Sequence, residues 1–179
     1  QIEKQKRRLL TRIRTIYREE RGVHDLVRRL DPSDEVFVQT CQLEAVRQGL
    51  IRERLGAIRN RINALVDDLA ANKVAEEAES AAMVKLGTDL QTIADAHVGR
   101  AASLLRELAT VTDGGGNTRN PAAAIDMVDR SARELGLVVL QLGFAEAADV
   151  MARELHATTQ TQAVLRLQTL IRGEAGAAG

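Results

Sequence analysis

The sequence predicts an all-α fold, an elongated antiparallel bundle of about four long helices with coiled-coil-like packing. Three observations predict it. Apolar residues recur at three- and four-residue spacing over most of the chain. Aromatics make up 2% of the residues against 45% apolar, so the core has to be built from Leu, Ile, Val and Ala. No stretch alternates in the two-residue period of a strand. The 179 residues suffice for one sizeable core, and a single helical domain is expected over residues 1–172, followed by a disordered tail, "GEAGAAG", over 173–179.

A first helix is expected over residues 2–30, where Ile2, Leu9, Ile13, Ile16, Val23, Val27 and Leu30 form one stripe, interrupted at Lys6 and Glu20. It stops at "LDPSDE": Pro32 disfavours helical geometry at Asp31, yet suits the first turn of a second helix that Asp31 caps. The second helix is expected over 32–72, with Val36, Leu43, Leu50, Leu55, Ile58, Ile62, Leu65 and Leu69 on one side. A third follows over 74–111 with Met83, Leu86, Leu90, Ile93, His97, Ala101, Leu104, Leu108 and Val111.

Between these two, Asn72 is the candidate turn. The alternative is one continuous helix over 34–111 in an extended coiled coil, a rod of about 115 Å. The stretch "TDGGGNTRN" over 112–120 is a loop, and Asn120 caps a helix that Pro121 opens, running over 121–157. Its middle, 135–144, is apolar nearly all round and is expected to be shielded on several sides. A short helix over 159–172 completes the series.

With 25 basic and 25 acidic residues the formal charge is zero, so the composition offers nucleic acid no net attraction, and none is expected as a partner. The longest apolar run, "LGLVVLQLGF", is far short of a membrane span. Cys41 is the single cysteine, which excludes an intramolecular disulfide framework. The chain begins at Gln1, as a segment cut from a longer protein would.

The chemistry-bearing residues are sparse. No H-x-x-x-H or E-x-x-H spacing occurs, so neither a metal nor a cofactor is expected. Glu20 and His24 are one helical turn apart with Glu20 in the apolar stripe, and His97 lies in the stripe of the third helix. These three are the candidate buried polar or ligand-binding residues. His156 has no companion. The glycines at 114–116 lack the Lys-Ser/Thr of a phosphate cradle and the carboxylates of a calcium loop.

Arginines fall into two sets. Arg52 and Arg59 lie to one side of the apolar line of the second helix, Arg54 and Arg61 to the other, as rails beside a seam. Their candidate partners after a fold-back are the carboxylates at 67, 68, 76, 77 and 79. Arg7, Arg14, Arg18, Arg21 and Arg29 instead form a basic stripe opposite the apolar face of the first helix, a candidate partner-binding surface.

The pattern resembles coiled-coil segments of large bacterial multi-domain proteins through its heptads and Arg-rich flanks. The expected function is a non-catalytic scaffold or protein–protein interaction module. Its partner is another segment of the parent chain, a second copy in a homodimer, or an acidic protein. The alternative is a helical-bundle sensor that binds a small ligand where Glu20, His24 and His97 interrupt the seams.

Overall fold

A computed structural model of the chain describes residues 2–72, 77–110, 120–144, 151, 160 and 162. The described residues are helical apart from short turns, with no strand among them. They begin with α1 (Ile2–Val27), α2 (Phe37–Asn72), α3 (Glu77–Thr92), a π-helical turn (Ile93–Val98) and α4 (Gly99–Thr110). A fifth helix, α5, covers 122–144. The chain divides into two compact units, Gln1–Val139 and Leu140–Gly179. In the second, the described residues 140–144, 151, 160 and 162 are helical, and Leu140, Phe144 and Met151 are exposed. The expected loop over 112–119, the end of the helix to 157, the helix over 159–172 and His156 otherwise lie outside the described residues.

The first unit is an antiparallel bundle. Glu19 meets Arg54 and Glu20 meets Gln48, so α1 and α2 run in opposite directions. After Asn72 the chain returns along α2: Arg59 meets Gln91, Arg52 meets Asp95, and Arg106 lies 3.8 Å from the Cβ position of Gly49. The continuous rod over 34–111 is therefore excluded, because the residues on either side of 73–76 pack against each other. Helix α5 in turn runs against α1, through Glu20–Ser131 and His24–Asp129.

Ile13, Ile16, Leu55, Ile62, Leu69, Leu90, Leu105, Val128 and Leu135 are among the buried side chains that fill the core. Fully burying an aliphatic side chain stabilises by roughly 1.5–3 kcal/mol, and among the described residues Phe37 is the one aromatic side chain in the core.

The helix ends follow the local sequence unevenly. α1 stops at Val27 rather than at residue 30, and α2 starts at Phe37 rather than at Pro32. Asp31 is engaged in a turn of its own, accepting hydrogen bonds from the Ser33 amide (2.9 Å) and hydroxyl (2.7 Å), which also hold its carboxyl below the usual range. Asn120 does cap: its side-chain oxygen accepts from the Ala122 amide at 2.9 Å, and the Ile125 amide donates to the Pro121 carbonyl.

Two stripes take a different phase from the expected one. On α2 the buried line is Phe37, Cys41, Glu44, Ala45, Gln48, Ile51 and Leu55, while Leu43, Val46 and Leu50, and Val36 just before the helix, face outward. On the returning segment the Gly99 amide donates to the Ala94 carbonyl five residues back, so the turn carries one extra residue. The buried line thereby becomes Ile93, Val98, Ala101, Ala102, Leu105 and Leu108, and Leu104 moves to the margin. In the stretch 135–144, Leu135 and Val138 are buried but Leu137, Leu140 and Phe144 are exposed. Over 135–139, within the first unit, the expected all-round shielding gives way to a single buried face.

Candidate functional site

A layer of polar side chains crosses the core where apolar ones would pack. Glu20 of α1, Glu44 and Gln48 of α2 and Ser131 of α5 are all fully buried. The Gln48 amide donates to Glu20 Oε2 at 2.7 Å, and the Ser131 hydroxyl lies against both Glu20 Oε1 and the Val128 carbonyl, 3.0 Å away. Burial pushes the Glu20 carboxyl up to about 7, with the hydrogen bonds from Ser131 and Gln48 and the charge of His24 opposing the rise.

Both protonation states have partners. As a carboxylate, Glu20 accepts from Ser131 and Gln48. As an acid it can donate to Ser131 Oγ, whose own proton then goes to the Val128 carbonyl. Gln48 Oε1 is buried without a hydrogen-bond partner, and a flip of that amide would offer it to the same acid proton. Glu44 is raised by desolvation as well; Arg47, 2.8 Å from its Oε1, opposes the shift, while Oε2 is left buried and unpaired.

Two histidines flank this layer, and both engage α5. His24 Nε2 meets Asp129, and its Nδ1 lies 3.0 Å from Asp25, whose carboxyl the imidazole holds low. His97, presented by the π-helical turn, lies 3.1 Å from Glu134, with Nδ1 buried and unpartnered. Thus Asp129, Ser131 and Glu134 on α5 meet His24, Glu20 and His97 in turn. The three candidate polar residues are brought onto one helix, though not into one coordination shell. Among the described residues no three His, Cys, Asp or Glu side chains are placed to share a metal.

The sequence pointed to Glu20, His24 and His97 but not to their partners. Gln48 and Ser131 carry no signal of their own, although a line traced back from Leu55 in steps of three and four passes through Gln48 and Glu44.

Three of the four rail arginines, Arg52, Arg54 and Arg59, reach neighbouring elements. Arg52 is paired with Asp95 (2.8 Å), which holds that carboxyl low together with Gln91, and Arg59 meets Gln91. On the other side Arg54 meets Glu19. The expected partners among residues 67–79 are replaced by these: the register sets Arg52 and Arg59 opposite 91–95, and Glu79 pairs with Lys6. Residue 76 lies outside the described residues.

In the basic stripe, Arg7, Arg18, Arg21 and Arg29 are exposed and Arg14 is half-buried. Arg21 donates to the Tyr17 hydroxyl at 3.4 Å. Among the described residues, a run of exposed apolar side chains lies elsewhere. Val36 in the turn before α2 and Leu43, Val46 and Leu50 on α2 are 57%, 52%, 59% and 49% exposed, and Leu26 of α1 lines the adjoining groove with Leu50. No described helix is long and apolar enough to cross a membrane.

Comparison of the chain with protein-family models, with curated proteins and with solved structures gives no match in any of the three.

Proposed function

We propose that this chain is a non-catalytic helical interaction module that pairs with a second copy of itself along the outer face of α2. The observation that carries this reading is the inversion over residues 41–50, where Glu44 and Gln48 are buried while Leu43, Val46 and Leu50 face solvent. Exposed apolar stripes of this kind commonly mark association surfaces. Val36, Leu43 and Leu50 recur at seven-residue spacing with Val46 between them, which is the pattern of a coiled-coil seam. Arg47 and Glu53 on the same face supply both signs of charge, so the surface selects no partner of one sign, and a second copy has matching spacing.

The ligand-sensor alternative relied on Glu20, His24 and His97. All three are engaged by side chains of α5, which favours the interaction reading.

Sedimentation velocity over a range of concentrations tests it. The expected result is a reversible dimer that becomes a monomer in the double variant Leu43→Glu/Leu50→Glu, with helical circular dichroism unchanged because both positions are exposed. A native chain that stays monomeric at high concentration, or a double variant that still dimerises, overturns the proposal.

A further inference from the structure

We infer that the groove between α1 and α2 around Arg8, Arg12 and Arg61 is a docking cleft for an acidic peptide segment of a partner protein. This extends the interaction-module reading to a second surface and does not depend on the α2 stripe. Three guanidinium groups from two helices line one cleft over a floor that includes Leu9 and Leu65. Lys4 and Arg7 border it on the α1 side. All five cations are exposed. Among the described residues, Arg8, Arg12 and Arg61 take part in no ion pair.

Helix register makes this placement unusual. Glu19 pairs with Arg54 across the α1–α2 seam. One heptad further along each antiparallel helix, the facing residues are Arg12 and Arg61, which line the same cleft. A position that holds an ion pair in one layer therefore holds two like charges in the next. On α1 itself Lys4, Arg8 and Arg12 follow at four-residue steps, which also sets like charges side by side. This arrangement costs stability in the isolated bundle and is relieved by carboxylates brought from outside.

The chemistry selects the occupant. Each arginine is solvent-exposed, so a single ion pair contributes little and a lone small anion is held weakly. Several carboxylates on one chain bind together, and the apolar residues of an amphipathic segment can reach the floor. A nucleic-acid backbone fits less well. The Asp68 carboxylate is among the residues that line the cleft, where it would repel a phosphate backbone, and no aromatic side chain lines it for stacking.

The test measures fluorescence anisotropy of a labelled amphipathic peptide, Glu on one face and Leu on the other, titrated with the full chain. Expected are saturable binding that weakens with salt, a loss of about tenfold or more in Arg8→Glu/Arg12→Glu, and a change under about twofold in Arg18→Glu/Arg21→Glu on the outward stripe. Leu43→Glu/Leu50→Glu should bind the peptide normally, which separates failure of the cleft from failure of the α2 surface. Separately, Arg61→Glu should raise the urea midpoint by removing the like-charge pair. Absent binding, equal losses in both arginine pairs, tighter binding of an oligonucleotide or of pyrophosphate than of the peptide, or a lowered midpoint in Arg61→Glu would each overturn the assignment.

Discussion

Glu20 decides more than any other single residue, because its carboxyl is carried into the core by the same stripe that buries Ile13, Ile16 and Val23. Its folded-state value of about 7 against an ordinary 4.5 fixes the direction of the pH effect. Between those values the folded chain holds a proton that the unfolded chain has lost, so the contribution of Glu20 to stability is intact below about pH 4.5. It declines as pH rises and levels off above about 7, a span on the order of 2–4 kcal/mol. In Glu20→Gln the amide oxygen still accepts from Ser131, and its NH2 can donate to the unpartnered Gln48 Oε1 after that amide flips. Urea unfolding at pH 4.5, 6 and 8 should therefore show the variant gaining on the native chain as pH rises. A constant difference across the series would mean that Glu20 does not titrate in this range.

At the scale of elements, the π-helical turn converts sequence spacing into packing. Its extra residue sets His97 against Glu134 and moves Leu105 rather than Leu104 to the centre of the core. Gly99 closes the turn, and a Cβ there would lie 3.2 Å from the Ala94 carbonyl and 3.4 Å from Arg52 Nε. At Gly56 of α2 a Cβ meets nothing within 4 Å. Gly56→Ala should thus gain the ordinary helix-propensity benefit of about 1 kcal/mol. Gly99→Ala should lose that gain or reverse it, since the Ala94 backbone carbonyl, held by the π-helical turn, has to give by a few tenths of an ångström to make room. Paired melting curves check this, and an equal gain at both sites would show that the turn yields without cost.

Across the whole molecule, the ion pairs that link helices, Arg52–Asp95, Arg54–Glu19 and Lys6–Glu79, are partly or largely exposed. They guide register more than they stabilise. Raising NaCl from 0.1 to 1 M should change the unfolding free energy by less than about 2 kcal/mol, because screening the attractive pairs is offset by screening Arg12 against Arg61. A larger loss in urea titrations would assign those pairs a stabilising share beyond register.

The all-α bundle, the break at Pro32, the Asn120 cap and the arginine rails beside the α2 seam were all legible in the sequence. Each depends on steps of three or four residues along one helix or on the local chemistry of a Pro or Asn, and such signals act within a turn or two of chain. The fold-back near Asn72 was the expected arrangement, with the continuous rod as its alternative, and the tertiary structure decided between them. The buried face of residues 41–50 and the partners of the rail arginines, Asp95 for Arg52, Glu19 for Arg54 and Gln91 for Arg59, came only from the tertiary structure. The five-residue step from Leu50 to Leu55 already marked a change of phase. It was hidden because Glu44 and Gln48, being polar, look like an outer face until Glu20 and Ser131 close over them. Whether a polar residue is buried depends on partners that arrive from other helices, and nothing in the spacing along one helix records who those partners are.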